Sequence, residues 1–85
     1  MLVVEETLLV FIDEEIYCST VECTYYDDDC LDYVLKAAKR VFDINQKTRQ
    51  PNKDGWTYQC LVQVFEQDNP HSLNRNIIET HWAEW

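Results

Sequence analysis

The sequence predicts an α+β domain: an antiparallel sheet of three to four strands with one amphipathic helix packed on one face, in the order ββαββ. Three observations carry this. Leu31, Val34, Leu35, Ala38, Val41 and Phe42 recur at the i, i+3, i+4, i+7 spacing of a helix face. Residues 16–26 and 56–66 alternate with the period of two that a half-buried strand requires. Of the 85 residues, 46% are hydrophobic and 13% aromatic, with one Gly and two Pro. A disordered acidic tail is poor in aromatic and β-branched residues, so residues 1–85 are expected to fold as a single compact domain.

The elements follow in order. Residues 7–12 (TLLVFI) are short, apolar and bracketed by charge, which fits a central strand buried on both faces. Asp13, Glu14 and Glu15 make a plausible hairpin turn, although they lack the Asn-Gly or Asp-Gly of a tight one. In residues 16–26, Tyr17, Val21, Cys23 and Tyr25 share one face. Cys18, Thr20, Glu22 and Thr24 share the other, so one wet face is expected. The helix spans about residues 29–44, capped by Asp28 or Asp29, with Asp32 and Lys36 as an i, i+4 ion pair. Residues 45–55 read as a polar loop. In residues 56–66, Trp56, Tyr58, Cys60, Val62 and Val64 face one way. Residues 67–74 turn around Asn69-Pro70. Residues 75–85 are ambiguous. Leu73, Ile77, Ile78, Trp82 and Trp85 form a helical stripe, giving the alternative order ββαβα. Ile77, Ile78, Thr80 and Trp82 favour a strand hairpinned to the preceding one, and the strand is preferred.

Charge is the strongest functional lead. The first 33 residues hold ten acids and no Lys or Arg; residues 34–53 hold six of the seven bases against Asp43 alone; the net charge is −9. An excess of this size destabilises a small domain by self-repulsion and exceeds what solubility needs. It opposes direct nucleic-acid binding, because phosphate contacts need Lys and Arg. It suits a basic partner. A hairpin of the first two strands would bring Glu5 and Glu6 near Asp27, Asp28, Asp29 and Asp32, six carboxylates at one end. Asp13, Glu14 and Glu15 would lie about 30 Å away, with Glu22 between. Trp82 and Trp85 are candidate apolar anchors.

Other chemistries find no signature. The spacing of Cys18, Cys23, Cys30 and Cys60 matches no zinc pattern, with or without His71 and His81, and four free thiols are expected. Asp27, Asp28 and Asp29 lack the spaced ligands and the turn Gly of a hard-cation loop. No phosphate loop, nucleophile elbow or dinucleotide fingerprint occurs, so neither an enzyme nor a cofactor is expected. The N-terminus has no basic region or cleavage site of a secretory leader, and no 20-residue apolar run occurs; a cytoplasmic protein without membrane contact is expected.

In size and charge the chain resembles the small acidic inhibitors of phages and mobile elements: nucleic-acid mimics, anti-restriction proteins and anti-CRISPR proteins. The resemblance transfers no residue. It implies a non-enzymatic inhibitor whose partner is a basic host protein, a nucleic-acid-binding protein or nuclease. Two alternatives share the same features: an immunity protein neutralising a nuclease toxin, and a homodimeric structural or regulatory subunit.

Overall fold

Four strands and one helix follow the expected order. The computed structural model describes residues 1–49 and 55–85. Strand β1 (Leu2–Ile12) and strand β2 (Glu15–Tyr26) form a hairpin; a 3₁₀ turn (Asp28–Cys30) leads into helix α1 (Leu31–Thr48); strands β3 (Trp56–Glu66) and β4 (Asn76–Glu84) form a second hairpin. All pairings are antiparallel and the spatial order is β2-β1-β3-β4. The final segment is the preferred strand, not a helix. Lys53 and most of the polar loop's second half lie outside the described residues.

The β1–β2 loop has two residues, Asp13 and Glu14, with φ of 51° and 71°. Two left-handed residues give the loop the same twist as the strands it joins. Gly55 packs beside it: its φ is 86°, and a Cβ there would lie 2.3 Å from Asp13 Oδ1. The Gly55 carbonyl accepts the Asp13 N–H at 2.9 Å, which docks the tip of the first hairpin on the start of β3.

One face of the sheet holds the core. Leu2, Val4 and Leu8 of β1 and Cys60, Val62 and Val64 of β3 meet Val34, Ala38 and Phe42 of α1. The row Trp56, Tyr58, Cys60, Val62 and Val64 does face one way, towards the helix, as the alternation predicts. On the helix stripe, Leu35 and Val41 are half-buried and Leu31 is exposed.

Several local expectations are corrected. β1 begins five residues before Thr7, so Glu5 and Glu6 are strand residues. It is central, with Leu2, Val4, Leu8 and Val10 buried on the helix side; on the other face Val3 is buried and Glu5, Thr7, Leu9 and Phe11 are half-buried. Neither Asp28 nor Asp29 caps the helix through its side chain; the chain enters through the 3₁₀ turn, whose Cys30 N–H donates to the Asp27 carbonyl at 3.1 Å. The helix runs four residues past Ile44. Its ion pair is Lys39 with Asp43 at 2.9 Å, and Asp32 and Lys36 do not pair. β2 has no buried face: every residue from Glu15 to Tyr25 is exposed. A bulge opposite Val10 and Phe11 also takes Tyr17 out of alternation and sets its ring 6.1 Å from Trp56.

Candidate interaction surface

The strand pairings decide which carboxylates gather. Leu2 pairs with Tyr26 on one side and with Glu66 on the other. The acids that follow β2 and those that end β3 therefore share one end of the sheet: Asp27, Asp28, Asp29 and Asp32 with Glu66 and Asp68. All six are exposed. Glu66 and Asp68 escape the sequence reading because β1–β3 pairing leaves no local signal. Asp28 pairs with the Met1 ammonium at 2.9 Å, and Asp29 accepts the Cys30 thiol at 3.4 Å. The side chains of Asp27 and Asp32 have no hydrogen bond or ion pair among the described residues. Asp13, Glu14 and Glu15 stand exposed at the opposite end, roughly 33 Å along the 11 residues of β1.

Glu5 and Glu6 do not join the six-acid cluster expected of them. Adjacent strand residues point to opposite faces. Glu5 lies on the helix-free face, paired with Arg75 at 3.1 Å, and its Oε2 is 3.6 Å from the Cys23 sulfur. Glu6 lies on the helix side and accepts a 2.7 Å hydrogen bond from Asn45 Nδ2. Both are internal partners. Glu22, directly across from Glu6, remains exposed between the two acidic ends.

Most basic side chains lie elsewhere, Arg75 beside Glu5 being an exception. Lys36, Lys39, Arg40 and Lys47 are exposed on α1, away from β2 and its acids. A basic partner would therefore be repelled from the helix face and drawn to the sheet ends and the β2 edge.

Trp82 and Trp85 form no joint anchor, because three residues apart on one extended segment they face opposite sides. Trp82 pairs with Leu61 on the helix-free face and is 59% exposed. Trp85 stacks on Tyr58 with ring centroids 5.6 Å apart, packs against the core, and its indole N–H donates to the Arg49 carbonyl. Trp82 remains available to a partner; Trp85 holds the fold together.

His81 lies under the helix with its ring 5.4 Å from Phe42, and its Nε2 is 3.3 Å from Glu79 outside hydrogen-bonding geometry. His71 is exposed, its backbone N–H held by Asn69. Among the described residues no three His, Cys, Asp or Glu side chains converge to hold a metal ion, and no helix is long and apolar enough to cross a membrane.

All four cysteines are free. Cys18 pairs with Val10 on the helix side and Cys23 with Glu5 on the other, so they point apart, as their odd spacing requires. Burial pushes the Cys60 thiol up from its ordinary pKa. Burial and the Glu5 charge raise Cys23, and the hydrogen bond to Asp29 raises Cys30. A disulfide-exchange reagent at neutral pH should leave Cys60 unreacted in the folded protein, because it is fully buried. In urea it should count four thiols; three would show that a pair had oxidised.

Compared with known protein families, with characterised proteins and with solved structures, the chain matches none.

Proposed function

We propose that the protein is a small non-enzymatic inhibitor whose acidic surface occupies a basic, nucleic-acid-binding surface of a host protein. The observation that carries this reading is the spacing of the exposed carboxylates: six at one sheet end, three at the other, and Glu22 between them on an edge strand exposed on both faces. Duplex nucleic acid presents one negative charge per about 1.7 Å of its axis, so an extended acidic edge suits the same kind of groove.

Two local costs support a use for these charges. Glu22 sits directly opposite Glu6 across the hairpin. Like charges so placed destabilise a sheet, on a scale of about 0.2–1 kcal/mol per pair. Glu14 holds a left-handed backbone, φ 71°, that glycine adopts without penalty and a side-chain-bearing residue does at about 1–2 kcal/mol. Solubility alone requires neither.

The test neutralises carboxylates that support no internal contact of consequence: Glu22→Gln, Asp27→Asn and Asp29→Asn together. Glu5 and Glu6 are unsuitable, since each has a structural partner. The immobilised wild-type protein should capture a basic protein from a host lysate and release it to salt and to heparin. The triple variant should fold normally and associate with that protein at least about tenfold more slowly at low salt, the deficit closing as salt rises. Equal association rates at low salt would remove the acidic-surface reading.

A further inference from the structure

The helix covers one face of the sheet and leaves most of the other open, although Val3 and Phe65 are buried there, Phe65 beneath the Arg75 guanidinium; we infer that this helix-free face is the interface of a symmetric dimer in which two copies pack sheet against sheet. The face is built from the alternate residues of all four strands. One row runs straight across it: Val21, Thr7, Leu61 and Trp82 are successive register partners. Tyr25 and Ile77 end a second row, Tyr25, Val3, Phe65 and Ile77, separated from the first by Cys23, Glu5, Gln63 and Thr80. Val21, Tyr25, Ile77 and Trp82 are 59, 49, 55 and 59% exposed, a large apolar exposure for an 85-residue chain. Beside Trp82 the row sinks into an apolar groove of about 170 Å³ lined by Thr7, Leu9, Gln59 and Leu61.

Charge identifies the occupant. Of the described acids on strands, only Glu5 and Glu84 point to this face. Glu5 is neutralised by Arg75, whose guanidinium also lies 4.5 Å over the Phe65 ring, and Glu84 accepts a hydrogen bond from Gln59. A chain of net charge −9 therefore carries one nearly neutral broad surface. A basic partner has little to grip there. A second copy is repelled at the acidic sheet ends and along the β2 edge, and is not repelled here.

Area agrees. The molecule is a slab of 44 × 24 × 14 Å, whose broad side outlines roughly 1,000 Å², against about 800 Å² per partner in a standard stable interface. Face-to-face packing of two twisted sheets is an ordinary two-layer solution. A two-fold axis along the strands lays β2 of one copy over β4 of the other, so that Val21 and Tyr25 meet Trp82 and Ile77. Pairing through the β2 edge would leave all four side chains in water.

The test uses the full chain. Analytical ultracentrifugation should show a species of twice the 10.2 kDa chain mass at high micromolar concentration. Its association should tighten with added salt, because salt screens the repulsion between two anions. Val21→Glu and Trp82→Glu, both at exposed positions, should keep the circular dichroism of the folded chain and sediment as monomers. Cys23 lies on the open face and Cys18 on the other. On concentrating the wild type, thiol modification of Cys23 should slow at least about tenfold relative to Cys18, following mass action. A monomer at every concentration overturns the inference and leaves the face to a different, neutral partner. So does a dimer that survives both Glu substitutions, or in which Cys23 stays as reactive as in the monomer.

Discussion

Phe42→Ala should remove a large share of the protein's stability. Phe42 is 7% exposed and is the largest side chain that α1 sends into the core, packed on the sheet beside the ring of His81 on β4. Removing a buried aromatic ring costs about 3–5 kcal/mol, through lost transfer energy and the cavity left behind. A chain of 85 residues has about 4–13 kcal/mol in total, at 0.05–0.15 kcal/mol per residue. One substitution therefore consumes a large share of the stability. Urea titration followed by circular dichroism should show the midpoint falling sharply. Lys36→Ala at an exposed position of the same helix should stay within about 0.5 kcal/mol of the wild type. A loss below about 1 kcal/mol for Phe42→Ala would mean that the helix is not what closes the core.

That sensitivity follows from how little the helix covers. A helix is about 10 Å across, whereas four strands at about 4.8 Å spacing make a broader sheet. α1 lies mainly over β3, with lesser contact to β1 and β4. β2 is left with water on both sides. Local pattern cannot reveal this: 16–26 alternates as a strand packed on one face would, and only the position of the helix on the sheet decides that neither face is buried.

The same division between local and distant causes separates what was legible in the sequence from what was not. The helix stripe, the β3 row and the split of Cys18 from Cys23 rest on periodicities within one element, and they hold. The start of β1 was hidden because Glu5 and Glu6 resemble the charged flank of a strand. They are accommodated inside it by Arg75, 70 residues away, and by Asn45, 39 residues away. The acidic end was half legible. Asp27, Asp28, Asp29 and Asp32 follow from the first hairpin, but Glu66 and Asp68 require the non-local β1–β3 register. Trp82 and Trp85 looked like one stripe because helical spacing puts residues three apart on one face; the strand separates them. Capping by Asp28 or Asp29 failed because a 3₁₀ turn intervenes and draws Asp28 to the Met1 ammonium.

Asn45 should prove the most sensitive polar position. It is 6% exposed, donates through Nδ2 to Glu6 at 2.7 Å and to the Val41 carbonyl at 3.1 Å, and accepts from Arg49 Nε at 3.0 Å. The Arg49 carbonyl in turn accepts the Trp85 indole N–H. One amide thus joins β1, the end of α1 and the residue that follows β4. Asn45→Ala would leave the Glu6 carboxylate under the helix without its donor and opposite Glu22. Hydrogen bonds to charged groups are worth about 1.5–3 kcal/mol, and the abandoned partner adds its own desolvation cost. We expect a loss of about 2–3 kcal/mol in urea titration, with a weakened near-ultraviolet signal as Trp85 loosens from Tyr58. Asn45→Asp should be worse than Ala, because it sets a second carboxylate against Glu6. The double variant Glu6→Leu, Asn45→Leu removes donor and acceptor together and should lie within about 1 kcal/mol of the wild type, since neither leaves the other unpaired and the exposed Arg49, which loses its acceptor, can turn to water. If the two single changes simply add in the double variant, the pair is not coupled, and Glu6 is held by the sheet alone.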